Sequence, residues 1–86
     1  MDNKYYILHY AIMDTDGSLC IDCKVYANMK EAKREQMRLL EEFKMKYDVY
    51  KDEVVEEEIG LFKRVAYENE LMEMQSHVVS VNDAEC

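Results

Sequence analysis

Proline and tryptophan are absent from the 86 residues, glycine occurs twice and cysteine three times. A chain without proline and with 49% hydrophobic residues is too apolar and too regular for a disordered tail, so a folded domain is expected. Two isolated glycines, Gly17 and Gly60, exclude a glycine-rich phosphate cradle. An odd number of cysteines does not suit a secreted disulfide scaffold, and reduced thiols are the simpler reading. Positive charge is also scarce, with 11 Lys and Arg against 19 Asp and Glu and a net charge of −8. That balance repels phosphate backbones and anionic lipid, which argues against nucleic acid and membrane surfaces as direct partners. No long hydrophobic run is present: the first apolar stretch, residues 5–13, contains His9, is too short to span a bilayer and lacks the flanks of a signal peptide. A cytoplasmic protein is expected.

What remains fits one small domain over residues 1–86, short enough that its margin of stability is thin and self-association is a common remedy. Alternating apolar residues flank Thr15-Asp16-Gly17-Ser18, and Asp-Gly in that setting is a strong hairpin signal. With Asp16 and Gly17 as a two-residue loop, Ile12 opposes Ile21, Tyr10 opposes Cys23, Leu8 opposes Val25 and Tyr6 opposes Ala27, an all-apolar core face. The reverse face then pairs Met13 with Cys20, Ala11 with Asp22, His9 with Lys24 and Ile7 with Tyr26.

From Asn28 the period becomes helical. Asn28 is a good N-cap with Glu31 three residues on, and Met29, Ala32, Gln36, Leu39, Leu40, Phe43 and Tyr47 form one stripe. Residues 30–46 hold six basic and four acidic side chains, so the helix carries +2 and the rest of the chain −10. Residues 48–58 read as an acidic, solvated connection entering a strand. Residues 59–67 and 71–81 read as two further strands, with a loop at Asn69 and Glu70 that opposes Val65 to Met74, Tyr67 to Met72 and Leu61 to Val78. A helix over residues 55–68 competes, because Val55, Ile59, Phe62 and Ala66 are spaced by three and four, although Gly60 disfavours it. The expected fold is α+β: a two-layer ββαββ domain with one amphipathic helix packed on one face of an antiparallel sheet.

Chemistry-bearing motifs are few. Cys20 and Cys23 have the spacing of a redox or zinc knuckle, but residues three apart on a strand point to opposite faces, and the helix begins too far on for a thioredoxin-like site. Here Cys23 belongs with the core side and Cys20 with the reverse. His9, His77 and Cys86 share no face with them that would assemble a metal site. Asp14 to Ser18 starts like a calcium loop, but the glycine comes early and Val25 stands in place of the final carboxylate. Neither histidine sits in a catalytic signature. No enzyme activity, cofactor or metal is expected, and a thiol or metal site at Cys20 and Cys23 ranks last among the readings.

Seven Tyr and seven Met in so short a chain suit adaptable contact surfaces. In the register above, Tyr5, Ile7, Met13, Cys20 and Tyr26 lie on the sheet face away from the helix and are the candidate protein-binding residues. The leading expectation is a non-enzymatic protein-binding module that self-associates, as a homodimer, through that face. The alternative is an acidic inhibitor whose carboxylates imitate nucleic acid on a protein partner with a basic surface.

The Tyr-rich opening strand, the Asp-Gly turn, Val25-Tyr26 before a Lys- and Glu-rich helix, then Phe62, Ala66-Tyr67-Glu68 and His77 before a valine strand resemble small uncharacterised proteins of bacteria and their mobile elements. The resemblance covers most of the chain. It implies an α+β domain without assigned chemistry, and it carries no functional residues across.

Overall fold

The computed structural model describes residues 4–82. Strands β1 (Lys4–Met13) and β2 (Leu19–Tyr26) precede helix α1 (Met29–Lys46), a short 3-10 helix (Asp48–Glu53), and strands β3 (Val54–Ile59), β4 (Phe62–Tyr67) and β5 (Glu73–Asn82). All five strands form one antiparallel sheet in the order β2, β1, β5, β4, β3. The expected α+β architecture holds. The expected ββαββ order is corrected to ββαβββ, because residues 54–59, inside the acidic stretch, form a strand of their own.

The cause of that extra strand is Gly60. Ile59 pairs with Phe62, leaving Gly60 and Leu61 as a two-residue loop, and Gly60 has φ +58° while no non-glycine residue described has positive φ. Glycine first and an ordinary residue second is the pattern of a type II′ hairpin turn. The glycine that would weaken a helix over 55–68 is thus the residue that folds this segment back on itself as two strands.

The first hairpin differs from its expected register by one residue. Gly17 N–H donates to the Asp14 carbonyl at 3.0 Å and Asp14 N–H to the Ser18 carbonyl at 2.9 Å, enclosing a three-residue loop with Gly17 at φ +87°. This is a type I turn closed by a glycine bulge. The two-residue I′ loop would need positive φ at Asp16 as well; instead the Asp16 carboxylate accepts from Ser18 N–H at 2.9 Å and Asp16 stays out of that region. Tyr6 therefore pairs with Tyr26, Leu8 with Lys24, Tyr10 with Asp22 and Ile12 with Cys20. A one-residue slip turns every β2 side chain to the opposite face.

The helix begins as its cap predicts: the Asn28 side chain accepts from Glu31 N–H at 2.9 Å. It lies mainly over β5 and β1 and less over β2. Ala32, Gln36, Leu40, Phe43 and Tyr47 from the predicted stripe are buried. Toward the C-terminal end, Leu40, Phe43 and Tyr47 pack on Val65, Tyr67, Met72 and Met74, with the Phe43 and Tyr47 rings 5.0 Å apart edge to face. Toward the N-terminal end, Ala32 meets Leu8 and Val78. The second hairpin keeps the predicted register, with Val65 opposite Met74 and Val78 N–H reaching the Leu61 carbonyl at 3.4 Å.

Candidate functional site

Among the described residues the α-helix covers one side of the sheet and no element covers the other. Alternation places Tyr5, Ile7, His9, Ala11 and Met13 of β1 on that open side, with Leu19, Ile21, Cys23 and Val25 of β2 opposite them. The other neighbour, β5, contributes Val79, His77 and Gln75, and β4 contributes Phe62. Ile59 of β3 lies on the same side, opposite Phe62, and several of these residues are large and apolar yet exposed: Ile21 at 72%, Ile59 at 71%, Val25 at 62% and Leu19 at 57%. His9 and His77 are cross-strand neighbours at the centre, and the Phe62 ring stands edge-on to His77 with centroids 6.3 Å apart. A shallow depression of about 190 Å³ opens between His9, Ala11, Ile21, Phe62 and His77.

Of the five candidate binding residues, Tyr5, Ile7 and Met13 occupy this face. Cys20 and Tyr26 do not. The shifted register turns Cys20, opposite Ile12, and Tyr26, opposite Tyr6, to the helix side. In exchange Ile21 and Val25, which the two-residue loop would bury, become the most prominent apolar groups along β2. The overlooked signal is Asp14 preceding Thr-Asp-Gly, a sequence that suits a type I turn with glycine at its end as well as it suits a two-residue loop.

The thiols stay apart. Cys20 and Cys23 are free and exposed on opposite faces, as their strand spacing predicts, but with the sides exchanged: Cys23 is on the open face beside His9 and Cys20 on the helix side. Among the described residues no group of three or more His, Cys, Asp or Glu side chains is arranged to hold a metal ion. Cys86 lies outside the described residues. No described helix is long and apolar enough to cross a membrane.

On the helix side, charge is organised in pairs. The Glu35 carboxylate accepts from Lys24 Nζ at 2.6 Å and from Arg38 Nε at 2.6 Å. Those hydrogen bonds, Arg38 first, lower its pKa to about 2. The acidic run of β3 is bound to neighbouring cations on both sides of the sheet: Glu56 to Lys44 at 3.0 Å and Glu58 to Lys63 on the helix side, Glu57 to Arg64 on the open side. The acidic strand is thus partly neutralised, by Lys44 of the helix and by Lys63 and Arg64 of β4. Buried among them, Gln36 Nε2 donates to the Ser76 hydroxyl and to the Leu61 carbonyl, both at 3.0 Å.

The open side thus sets exposed apolar side chains of β1 and β2 beside His9, His77 and Phe62. Comparison with known proteins finds no matching family model, no similar curated protein and no similar solved structure.

Proposed function

We propose that the chain is a non-enzymatic protein-binding module that self-associates through its uncovered sheet face. The observation that carries this reading is the set of apolar side chains left in water there, Leu19, Ile21, Val25 and Ile59 above all. Fully burying one such side chain is worth roughly 1.5–3 kcal/mol, and contiguous exposed apolar surface on a small protein marks interaction sites. An antiparallel sheet tolerates one wet face when that face is polar; this one is polar around Arg64, Glu57 and Glu73 and apolar along β1 and β2. The two exposed free thiols suit a reducing cytoplasm.

Sedimentation velocity over the micromolar range tests the proposal. The expected result is concentration-dependent association that persists in high salt and is weakened in Ile7→Lys or Phe62→Lys, each of which puts a charge on the open face. A chain that sediments as a monomer throughout refutes it. The alternative of an acidic inhibitor predicts binding to a basic protein that weakens steeply with salt. The ion pairs of Glu56, Glu57 and Glu58 weigh against it, since those carboxylates are already engaged.

A further inference from the structure

The outer edge of β2 carries a self-complementary pattern. Asp14 N–H bonds to the Ser18 carbonyl, so the ladder between β1 and β2 is hydrogen-bonded at the pairs in step with it: Ile12 with Cys20, Tyr10 with Asp22, Leu8 with Lys24. Leu19, Ile21, Cys23 and Val25 consequently turn their amides and carbonyls outward. Among the described residues no strand lies beyond them.

We propose that this edge pairs antiparallel with the same edge of a second copy about a two-fold axis at Cys23, joining two five-stranded sheets into one. The inference rests on the self-association proposed above and adds to it a second two-fold contact, at the rim of the sheet, which leaves both open faces free for the face contact and still pairs two copies when Ile7→Lys or Phe62→Lys blocks that face.

Charge selects the register. Outward-facing residues must oppose outward-facing residues for the hydrogen bonds to form, which leaves a small set of alignments. Centring the axis on Asp22 sets Asp22 against Asp22 of the second copy, and centring it on Lys24 sets lysine against lysine. Centring it on Cys23 sets Asp22 against Lys24 twice and Ile21 against Val25 twice. Opposite charges and branched apolar pairs across strands are stabilising, whereas like charges are not. Lys24, which already holds Glu35 at 2.6 Å, would then lie between Glu35 and Asp22 of the second copy. In the single chain the Asp22 carboxylate accepts from Cys23 N–H at 2.8 Å, and on pairing that amide passes to the Cys23 carbonyl of the second copy. The other edge, β3, is closed to this kind of contact, because Glu56, Glu57 and Glu58 would meet one another in every central alignment.

The alignment brings the two Cys23 α-carbons to about 5.5 Å and leaves the two Cys20 α-carbons roughly 20 Å apart. A short bismaleimide, which adds one thiol to each of its two double bonds, reads this difference. Full-length chain with Cys20→Ser and Cys86→Ser keeps Cys23 as its thiol; chain with Cys23→Ser and Cys86→Ser keeps Cys20. The first is expected to crosslink to a dimer at least tenfold faster than the second. In the Cys23-bearing chain, Asp22→Lys lowers the crosslinking rate severalfold, and Asp22→Lys combined with Lys24→Asp restores it. Equal crosslinking through both cysteines, or none through Cys23 in a sample that sediments as a dimer, overturns the edge contact and leaves the face reading standing. A monomer with no crosslink overturns both. Because Cys23 also lies on the open face, fast Cys23 crosslinking counts for the edge only when Asp22→Lys slows it, and Lys24→Asp, which sets Asp22 against an aspartate, is the second charge variant should the first fail to fold.

Discussion

Tyr47 donates its hydroxyl to Asp14 at 2.5 Å, joining the end of the helix to the first turn of the sheet 33 residues earlier. Its ring also closes the aromatic cluster with Phe43 and Tyr67. One side chain thereby fastens the helix C-terminus, the core and the loop that sets the register of β2.

Tyr47→Phe separates these roles, since the ring stays and the hydroxyl goes. The Asp14 carboxyl is held below its usual pKa, first by the Tyr47 hydrogen bond and then by Lys46. In Tyr47→Phe its titration, followed by NMR, is expected to move upward toward the usual carboxylate range. Because the native pKa is the depressed one, this contact stabilises the fold above the unfolded pKa and is lost as pH falls through the folded value. An unchanged Asp14 titration would show that Lys46 alone sets it.

Glu35 gives a second pH dependence with the same sign. Its pKa near 2 in the fold lies below the ordinary 4.5, so its stabilising effect is complete above pH 4.5 and disappears as pH drops toward 2. Glu35→Gln should cost about 1 kcal/mol at neutral pH, a modest figure because Arg38 is largely solvated. Urea denaturation of both proteins at several pH values should show the difference shrinking through that window.

Gln36 and Ser76 form a buried polar contact between helix and sheet, and the Ser76 hydroxyl also donates to the Lys63 carbonyl at 3.2 Å. Gln36→Met and Ser76→Ala should each lower stability by about 1 kcal/mol by removing hydrogen bonds of the buried network, in which the remaining member, Ser76 or Gln36, keeps the Lys63 or the Leu61 carbonyl as its partner. The double variant should cost less than the two together, and denaturation midpoints across the four proteins measure the coupling. Strict additivity would mean that the contact contributes nothing.

The two glycines test the turns. A Cβ on Gly17 would approach Leu71 Cδ1 at an ordinary 3.9 Å and one on Gly60 would meet open space, so neither substitution is blocked by a neighbour. The penalty is conformational, from φ of +87° and +58°, and Gly17→Ala and Gly60→Ala should each cost about 1–2 kcal/mol. Thermal melts provide the measurement. Gly60→Ala should also speed exchange of the β3 amides, because its loop sets the pairing of the edge strand β3 with β4.

Short-range chemistry was enough to delimit the helix and the hairpin of β4 and β5. Asn28 and the stripe from Met29 to Tyr47 specify a start and a buried side without reference to any other element. Val65 and Met74 find each other across a short loop with few alternatives. The same reasoning misplaced two of the five candidate residues of the face. Cys20 and Tyr26 on one side and Ile21 and Val25 on the other exchange places according to whether the loop at Asp16 has two residues or three, and both loops suit an Asp-Gly pair.

Which loop prevails depends on the assembled molecule. The helix lies over β1 and β5, so the helix side of β2 receives Lys24 beside Glu35 and Asp22 beside Tyr10 at 3.3 Å, and the apolar residues of that strand turn to the open side. The placement of β5 between β1 and β4 belongs to the same level. It joins residues as distant as Lys4 and Asn82, and such pairing is decided by shared burial beneath one helix. Residue order specifies which segments can be strands; only burial against a common core decides their neighbours and which of their two sides meets water.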